Sequence, residues 1–162
     1  MSKSSKDLNI EIIEATFSQD VAAVKALFLE YIDFVQDFLG ESLTFQGTEK
    51  EFQSFPDIYD VLLLGKLNGI AVAACGIKPF KNDICELKRL YCSPQGRGHK
   101  FGEKLTRMSL QKAKSFGYKH MYLDTNPDLV HANKIYEALG FEDIDQYYEN
   151  PLVCSRYMAL QL

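Results

Sequence analysis

The chain has 162 residues, of which 46% are hydrophobic and 25% charged, and its formal net charge is −4. This length and composition predict one globular domain, residues 1–162, with a buried core. A sequence pI of 5.4 argues against a nucleic-acid-binding protein. The N-terminal residues contain no apolar signal-peptide segment, and the longest apolar runs, Val61–Leu64 and Ile70–Cys75, are too short to span a bilayer. We therefore expect a cytoplasmic protein with no membrane partner.

The N-terminal region is expected to form a strand and then a long helix. Apolar and polar residues alternate over Asn9–Ala15, which predicts a strand. Apolar residues then recur at helical spacing from about Asp20, and Thr16 or Ser18 is expected to cap the helix. Gly40 is the expected C-cap.

The next region is expected to contain a short helix and two paired strands. The helix is predicted around Glu49–Phe55 and the strands over Tyr59–Leu67 and Ile70–Lys78. Asn68-Gly69 between the strands is the strongest hairpin signal of the sequence. A second turn, Lys81-Asn82-Asp83, leads to the next strand.

The second half alternates strands and helices. A strand begins at Ile84 and ends before Ser93-Pro94, and a helix follows a glycine-rich turn and ends at Gly117. The remaining predicted elements are a strand His120–Thr125, a helix Leu129–Leu139 closed by Gly140, and two strands, Phe141–Tyr148 and Arg156–Leu160. The element order, β-α-α-β-β-β-α-β-α-β-β, predicts an α/β fold with a central mixed sheet flanked by helices on both faces.

The glycine-rich turn is the most informative stretch. Gly96, Gly98 and Gly102 stand at the turn and in the first turn of the helix, where unpaired backbone N–H groups make an anion site. Phe101 stands where the dinucleotide fingerprint needs glycine, and the nucleotide P-loop spacing also fails, so a nucleotide-binding module is disfavoured. The alternative is an ordinary helix entry with a solvated basic face.

The charge distribution favours a compact anionic ligand. Residues 86–120 hold nine basic and two acidic side chains, a local charge of +7, against −11 for the remainder of the chain. The four cysteines form no C-x-x-C pair, and the three histidines show no metal-ligand spacing. We therefore predict no metal site, and Cys92 is not expected to act as a nucleophile.

Two motifs resemble the GNAT N-acetyltransferase superfamily. Arg97-Gly98-His99-Lys100-Phe101-Gly102 resembles the family's acyl-CoA pyrophosphate loop, [QR]-x-x-G-x-[GA], with Lys100 in place of the usual middle glycine. Asn126–Phe141 resembles the helix that ends A-x-x-L-Y-E-x-L-G-F, with Ile135 for leucine. The segments ELKRLY, YLDT, YYENP and LTFQG are also similar to a bacterial subgroup of this superfamily, so the resemblance covers nearly the whole chain.

The resemblance implies a GNAT-like fold and a direct acetyl transfer from acetyl-CoA, in a ternary complex, to a primary amine of a small molecule or peptide. By resemblance Tyr136 is the general acid and Glu86 the base. A backbone N–H near Leu90–Tyr91 would face the thioester carbonyl. The residues expected to bind acetyl-CoA are Leu90, Tyr91, Cys92, Arg97, Gly98, His99, Lys100, Phe101 and Gly102.

Several alternatives stay open at this stage. Tyr136 could be a core tyrosine, Glu86 could pair with Lys88 or Arg89, and the domain could be a non-catalytic acyl-CoA sensor. Residues 1–60 carry twelve acidic and four basic side chains, a balance that suits a cationic acceptor but that exposed helix faces would also give. The late strands could also support a homodimer. Candidate acceptor-pocket residues are Tyr31, Phe34, Phe38, Phe45, Gln46, Tyr147 and Tyr148.

Overall fold

A seven-stranded mixed sheet organises the computed structural model, which describes residues 8–40, 48–149 and 155–162. The sheet order is β1-β2-β3-β4-β5-β7-β6, and every neighbouring pair is antiparallel except β4 and β5. This confirms the predicted mixed sheet. The strands are β1 (Ile10–Glu14), β2 (Val61–Leu67), β3 (Ile70–Lys81), β4 (Ile84–Cys92), β5 (His120–Thr125), β6 (Glu142–Asp143) and β7 (Arg156–Gln161).

Two of the sequence predictions for the strands have contrasting outcomes. Asn68 and Gly69 have φ values of 52° and 80°, the left-handed pair that a two-residue hairpin turn needs, so this prediction is confirmed. The strand predicted over Phe141–Tyr148 is wrong in extent, because only Glu142–Asp143 pairs with β7. The side chains of Tyr147 and Tyr148 hydrogen-bond to other parts of the site instead. The predicted turn at 149–151 lies partly outside the described residues.

The helices are α1 (Ser18–Leu39), α2 (Thr48–Gln53), α3 (Phe101–Ser115) and α4 (Val130–Ala138). Gly40 closes α1 in the left-handed conformation, and its N–H donates to the Gln36 carbonyl (2.8 Å), as predicted. The predicted side-chain cap is wrong, because Phe17 occupies the N-cap position and provides no such hydrogen bond. None of the helices in the described ranges is long and apolar enough to cross a membrane.

Alternating side chains of the sheet pack into two hydrophobic cores, one on each face. Leu63 on β2 packs with Phe101 and Leu105 of α3, whereas its neighbour Leu64 packs with Phe28 of α1. All of these side chains are fully buried or nearly so. Helices therefore cover both faces, as the sequence predicted, with α3 and α4 on one side and α1 on the other.

The feature that positions the site is an irregularity in β4. Arg89 has a φ of 60°, and the register with β3 shifts so that Gly76 pairs with Lys88 but Ala74 pairs with Tyr91. This bulge adds one residue to β4 and turns the strand. On its other side β4 pairs with β5 only at Ile84–Glu86, among residues that the structure describes, so the two strands separate beyond that point.

Candidate active site

The glycine-rich turn presents a row of backbone donors at the start of α3. A 3-10 turn, Pro94–Gly96, follows β4, and α3 begins at Phe101 without a side-chain cap. Within the described residues, the successive N–H groups of Gly98 to Glu103 have no hydrogen-bond acceptor. These donors and the positive end of the helix dipole form an anion-binding arrangement.

Lys100 adopts the backbone conformation that the replaced glycine would supply. Its φ and ψ are 62° and 30°, in the left-handed region, and its side chain is exposed. A non-glycine residue is strained there. The loop therefore has a left-handed residue directly before α3 and an ammonium group beside the free N–H row. Gly96 is needed for close packing, because a Cβ there would lie 2.7 Å from a Val72 methyl carbon.

The other loop residues take different positions. The exposed Arg97 guanidinium lies 5.8 Å from the centre of the Phe34 ring, which links the loop to α1. Phe101 is buried in the core, so only its backbone can serve a ligand. His99 lies beside Phe101, with the two ring centres 6.5 Å apart.

The end of β4, Leu90–Cys92, runs along the opening between β4 and β5. Tyr91 and Cys92 pair with β3, and the strand edge toward β5 is free within the described chain. The Tyr91 hydroxyl donates to Glu30 (2.7 Å), which fixes the strand against α1. Burial raises the pKa of the Cys92 thiol, an effect that the nearby Arg97 only partly opposes, so Cys92 is a poor nucleophile.

Tyr136 lies on α4 and is buried, with 6% of its surface exposed. Its ring packs edge-on against Phe141, and its hydroxyl, which is not fully buried, has no hydrogen-bond partner among the described residues. Burial, followed by the nearby Tyr31, Cys75 and Asp124, raises the pKa of Tyr136 well above its ordinary value. The phenol is therefore protonated at neutral pH and its proton is not committed to another group.

Glu86 is also buried, and its carboxylate accepts a 2.7 Å hydrogen bond from the Tyr147 hydroxyl. The alternative ion pairs expected from the sequence are not formed in the described structure. Lys88 pairs with Asp124 (3.3 Å) and Arg89 with Glu51 (2.8 Å). Glu86 is thus a buried carboxylate held by a neutral donor.

A pocket opens between α1, the bulged part of β4 and the end of β5. Its cavity volume is about 50 Å³, and about 520 Å³ when the open space at its mouth is counted. The bulge places Lys88 and Arg89, neighbours in sequence, on the same face of the sheet toward α1. The lining residues are Tyr31, Val35, Leu39, Leu87, Lys88, Arg89, Asp124, Thr125, Asn126, Leu129 and Ser155.

Hydrogen bonds and ion pairs hold the charged groups of this pocket in place. Burial alone would raise the pKa of Asp124, but the Lys88 ammonium and the hydrogen bond from Tyr148 outweigh burial and lower it. Burial opposes the charged form of Lys88, but the carboxylates of Asp124 and Glu86 outweigh it and raise the pKa of Lys88. Both groups are therefore charged at neutral pH.

Only part of this pocket is predictable from the sequence. Tyr31 lines it as predicted, whereas Phe34 and Phe38 stack on each other and are not among the lining residues. Phe45 and Gln46 lie outside the described residues. The roles of Lys88, Arg89 and Asp124 were missed, although the position of Asp124 near the carboxyl end of a parallel strand was a usable signal.

No metal-binding cluster of three or more His, Cys, Asp or Glu side chains occurs in the described part of the chain. Cys75, Cys85 and Cys92 are free thiols, and Cys154 lies outside the described residues.

Comparison with known proteins identifies the family to which this chain belongs. The model of the acetyltransferase (GNAT) family matches residues 30–141. An uncharacterized N-acetyltransferase of Schizosaccharomyces pombe is 33% identical over 163 residues, covering 97% of this chain and 98% of that protein.

Solved structures agree with this assignment at the level of the fold. A GNAT-family acetyltransferase of Staphylococcus aureus superimposes with a TM-score of 0.76 at 20% identity, covering 94% of this chain and 99% of that one. The PaiA N-acetyltransferase of Thermoplasma acidophilum, solved in complex with coenzyme A, superimposes with a TM-score of 0.71 at 16% identity, covering 95% and 99%. Together with the family match, these findings show that the chain belongs to the GNAT acetyltransferase family and is an acyltransferase.

Proposed function

We propose that this protein is an acetyl-CoA-dependent N-acetyltransferase that transfers the acetyl group directly, in a ternary complex, to a primary amine of a small molecule or peptide. The observation that carries the proposal is the row of free N–H groups from Gly98 to Glu103 next to the separated strands β4 and β5. The first feature suits a pyrophosphate and the second suits an extended pantetheine arm.

The chain's residues fit this donor. The loop N–H groups, Arg97 and Lys100 would hold the pyrophosphate, and Gly98, with its φ of 89°, lets the backbone approach closely. The free edge of Leu90–Cys92 would hydrogen-bond the amides of the pantetheine arm, and a backbone N–H near Leu90–Tyr91 would stabilise the oxyanion. Bound acetyl-CoA supplies the acetyl thioester. The coenzyme A complex of the structurally similar Thermoplasma protein supports this assignment.

Two buried side chains would carry out the proton transfers. Glu86 takes the proton that the amine loses as its nitrogen bonds to the acetyl carbon, directly or through water. Tyr136 donates its hydroxyl proton to the sulfur as the carbon–sulfur bond breaks. No residue of the chain is acylated, which agrees with the raised pKa of Cys92.

A non-catalytic acyl-CoA sensor is the other function that the fold allows. A sensor needs the donor loop but has no need of a protonated, uncommitted Tyr136 hydroxyl or a buried pocket with fixed charges. We favour the enzyme for this reason. The cytoplasmic location and the homodimer expected from the sequence remain predictions, and light scattering of the purified chain tests the dimer.

Calorimetric titration with acetyl-CoA tests the donor site. The wild-type chain is expected to bind with micromolar affinity, and R97A/K100A to lose about tenfold or more, since each cation contributes up to about 1 kcal/mol. K114A/K119A is the matched control, because it removes two exposed lysines away from the loop. Absence of binding by the wild type would refute the proposal.

A further inference from the structure

The acceptor pocket contains a buried positive group with an unused donor. The Arg89 side chain is only 6% exposed, and its Nη2 donates to Glu51 at 2.8 Å. Its Nε, also buried, is the one side-chain nitrogen or oxygen in the described structure that is fully buried without a hydrogen-bond partner. Such donors are rare in folded proteins because leaving one unpaired is costly.

The surroundings of Arg89 determine what the free donor can bind. Its neighbour Lys88 lines the same pocket and is paired with Asp124. Nε–H is a donor on a permanently charged group, so its best partner is an anionic oxygen, and a carboxylate fits the planar guanidinium edge. Nη2 donates to one oxygen of Glu51 and the Tyr59 hydroxyl donates to the other (2.7 Å), whereas Nε has no hydrogen-bond partner in the described structure.

The same pocket offers an acidic group for the amine. Asp124 lines it and remains ionised at neutral pH, since Lys88 and Tyr148 lower its pKa. The apolar side of the pocket is formed by Val35, Leu39 and Leu129. A cationic group, an anionic group and an apolar wall in one pocket match a zwitterion with an apolar portion.

We propose that the acceptor carries a carboxylate together with its reacting amine, as an amino acid does, and that Arg89 Nε–H binds this carboxylate. The inference rests on the proposed N-acetyltransferase function and names its substrate class. Asp124 positions the amine, and Arg89 determines specificity without taking part in proton transfer. The reaction forms the bond between the amine nitrogen and the acetyl carbon, breaks the carbon–sulfur bond, and moves one proton from nitrogen to base and one to sulfur.

The test compares matched pairs of acceptors on the wild-type chain. Release of the coenzyme A thiol is followed with acetyl-CoA and each of the twenty common amino acids or its carboxamide. For the best amino acid, kcat/KM is expected to exceed that of its carboxamide by about tenfold or more, because the neutral amide offers no anionic oxygen to Arg89 Nε–H. This comparison needs no variant and is therefore independent of any folding defect.

A variant then assigns the preference to Arg89. R89K keeps a positive charge for the buried Glu51 but lacks Nε–H, so KM for the amino acid is expected to rise about tenfold, and the ratio of kcat/KM between the amino acid and its carboxamide is expected to fall toward one. R107K is the matched control, because Arg107 is exposed and pairs with Glu103 on the outer face of α3. Acetyl-CoA calorimetry on R89K confirms that the donor site is intact.

The outcomes separate the two proposals. Equal rates for acid and amide, a preference for the amide, or no turnover of any amino acid by a chain that binds acetyl-CoA overturns the carboxylate proposal and leaves the donor-site assignment standing. In that case Arg89 Nε binds water, or the Arg89 side chain functions only in its ion pair with Glu51. Failure to bind acetyl-CoA refutes the proposed function and this inference with it.

Discussion

Lys88 and Asp124 form an ion pair of 3.3 Å across the point where β4 and β5 separate. The last backbone pair of these parallel strands is Glu86 with Tyr122. Lys88 and Asp124 are the next residues on the same face. Their side chains therefore remain paired where the two backbones are no longer hydrogen-bonded to each other. The ion pair therefore bridges the opening at the level of the pocket, which both side chains line.

Replacing Lys88 by Met is expected to destabilise the fold in a pH-dependent way. The folded pKa of Asp124 is lowered, so its carboxylate contributes stability above the unfolded pKa of about 3.9, and that contribution is lost as the pH falls through the folded value. Without Lys88, burial dominates and the pKa of Asp124 rises. The free energy of unfolding at pH 7 should fall by about 3 kcal/mol, the cost of breaking a buried pair.

Urea unfolding between pH 4 and pH 8 measures this effect. The difference in the free energy of unfolding between K88M and the wild type should shrink toward pH 4, because Asp124 can become protonated in the variant at that pH. K112M is the control, since Lys112 pairs with Glu14 on the surface and should change stability by no more than about 1 kcal/mol. A pH-independent loss in K88M would contradict the assignment.

Replacing Tyr136 by Phe is expected to remove the general acid and little else. The hydroxyl has no hydrogen-bond partner in the described structure, so stability and acetyl-CoA affinity should be retained. Loss of a general acid lowers kcat by about 10²–10⁴-fold. Steady-state kinetics with the best acceptor and calorimetry with acetyl-CoA provide the two measurements.

Tyr122→Phe is the matched control for that variant, because the Tyr122 ring packs against Phe80 and Tyr147 without lining the pocket. It should keep wild-type kcat. Wild-type kcat in Y136F would mean that Tyr136 is a packing residue and that the thiolate is protonated from elsewhere.

Replacing Glu86 by Gln tests the base. Gln keeps an oxygen that can accept the hydrogen bond from Tyr147, so the fold should be retained. At pH 7 kcat/KM is expected to fall about 10²-fold, and part of the rate should return at high pH, where the amine is neutral without a base. The pH–rate profile measures both.

Glu11→Gln is the control for E86Q, since Glu11 is exposed on β1 and, among the residues that the structure describes, accepts a side-chain hydrogen bond only from Asn9. If E86Q kept the wild-type profile, Glu86 would be a structural partner of Tyr147 and another group would take the proton.

Replacing Lys100 by Gly is expected to separate the effect of backbone strain on stability from the effect of the lysine charge on acetyl-CoA binding. Glycine relieves a left-handed conformation that costs other residues about 1–2 kcal/mol, and after its own entropic cost the free energy of unfolding should rise by up to about 1 kcal/mol. Loss of the ammonium should weaken acetyl-CoA binding about two- to fivefold.

Lys100→Asn completes this comparison, because Asn tolerates the left-handed region but is uncharged. Its acetyl-CoA affinity should match that of K100G while its stability gain is smaller. Unchanged affinity in both variants would show that Lys100 does not contact the donor.

Local signals were enough to place most elements and the glycine-rich loop at the start of α3. The Asn68-Gly69 hairpin, the Gly40 cap and the glycine-rich entry to α3 each depend on residues close together in sequence. The prediction of a cap at Thr16 or Ser18 failed because a suitable side chain does not ensure the N-cap position, which Phe17 occupies. The strand predicted to Tyr148 failed because the Tyr147 and Tyr148 hydroxyls bind buried carboxylates beyond the edge strand.

The sequence by itself determined the order of elements, the mixed sheet and the glycine-rich loop at the start of α3, because hydrophobic periodicity and turn residues act over short distances. Only the tertiary structure decided the pocket between α1, β4 and β5. One extra residue at Arg89 shifts the register of β4 and brings two neighbouring cations to one face. Their partners, Asp124 and Glu51, come from distant segments whose alignment depends on the packing of the whole sheet, which no local pattern encodes.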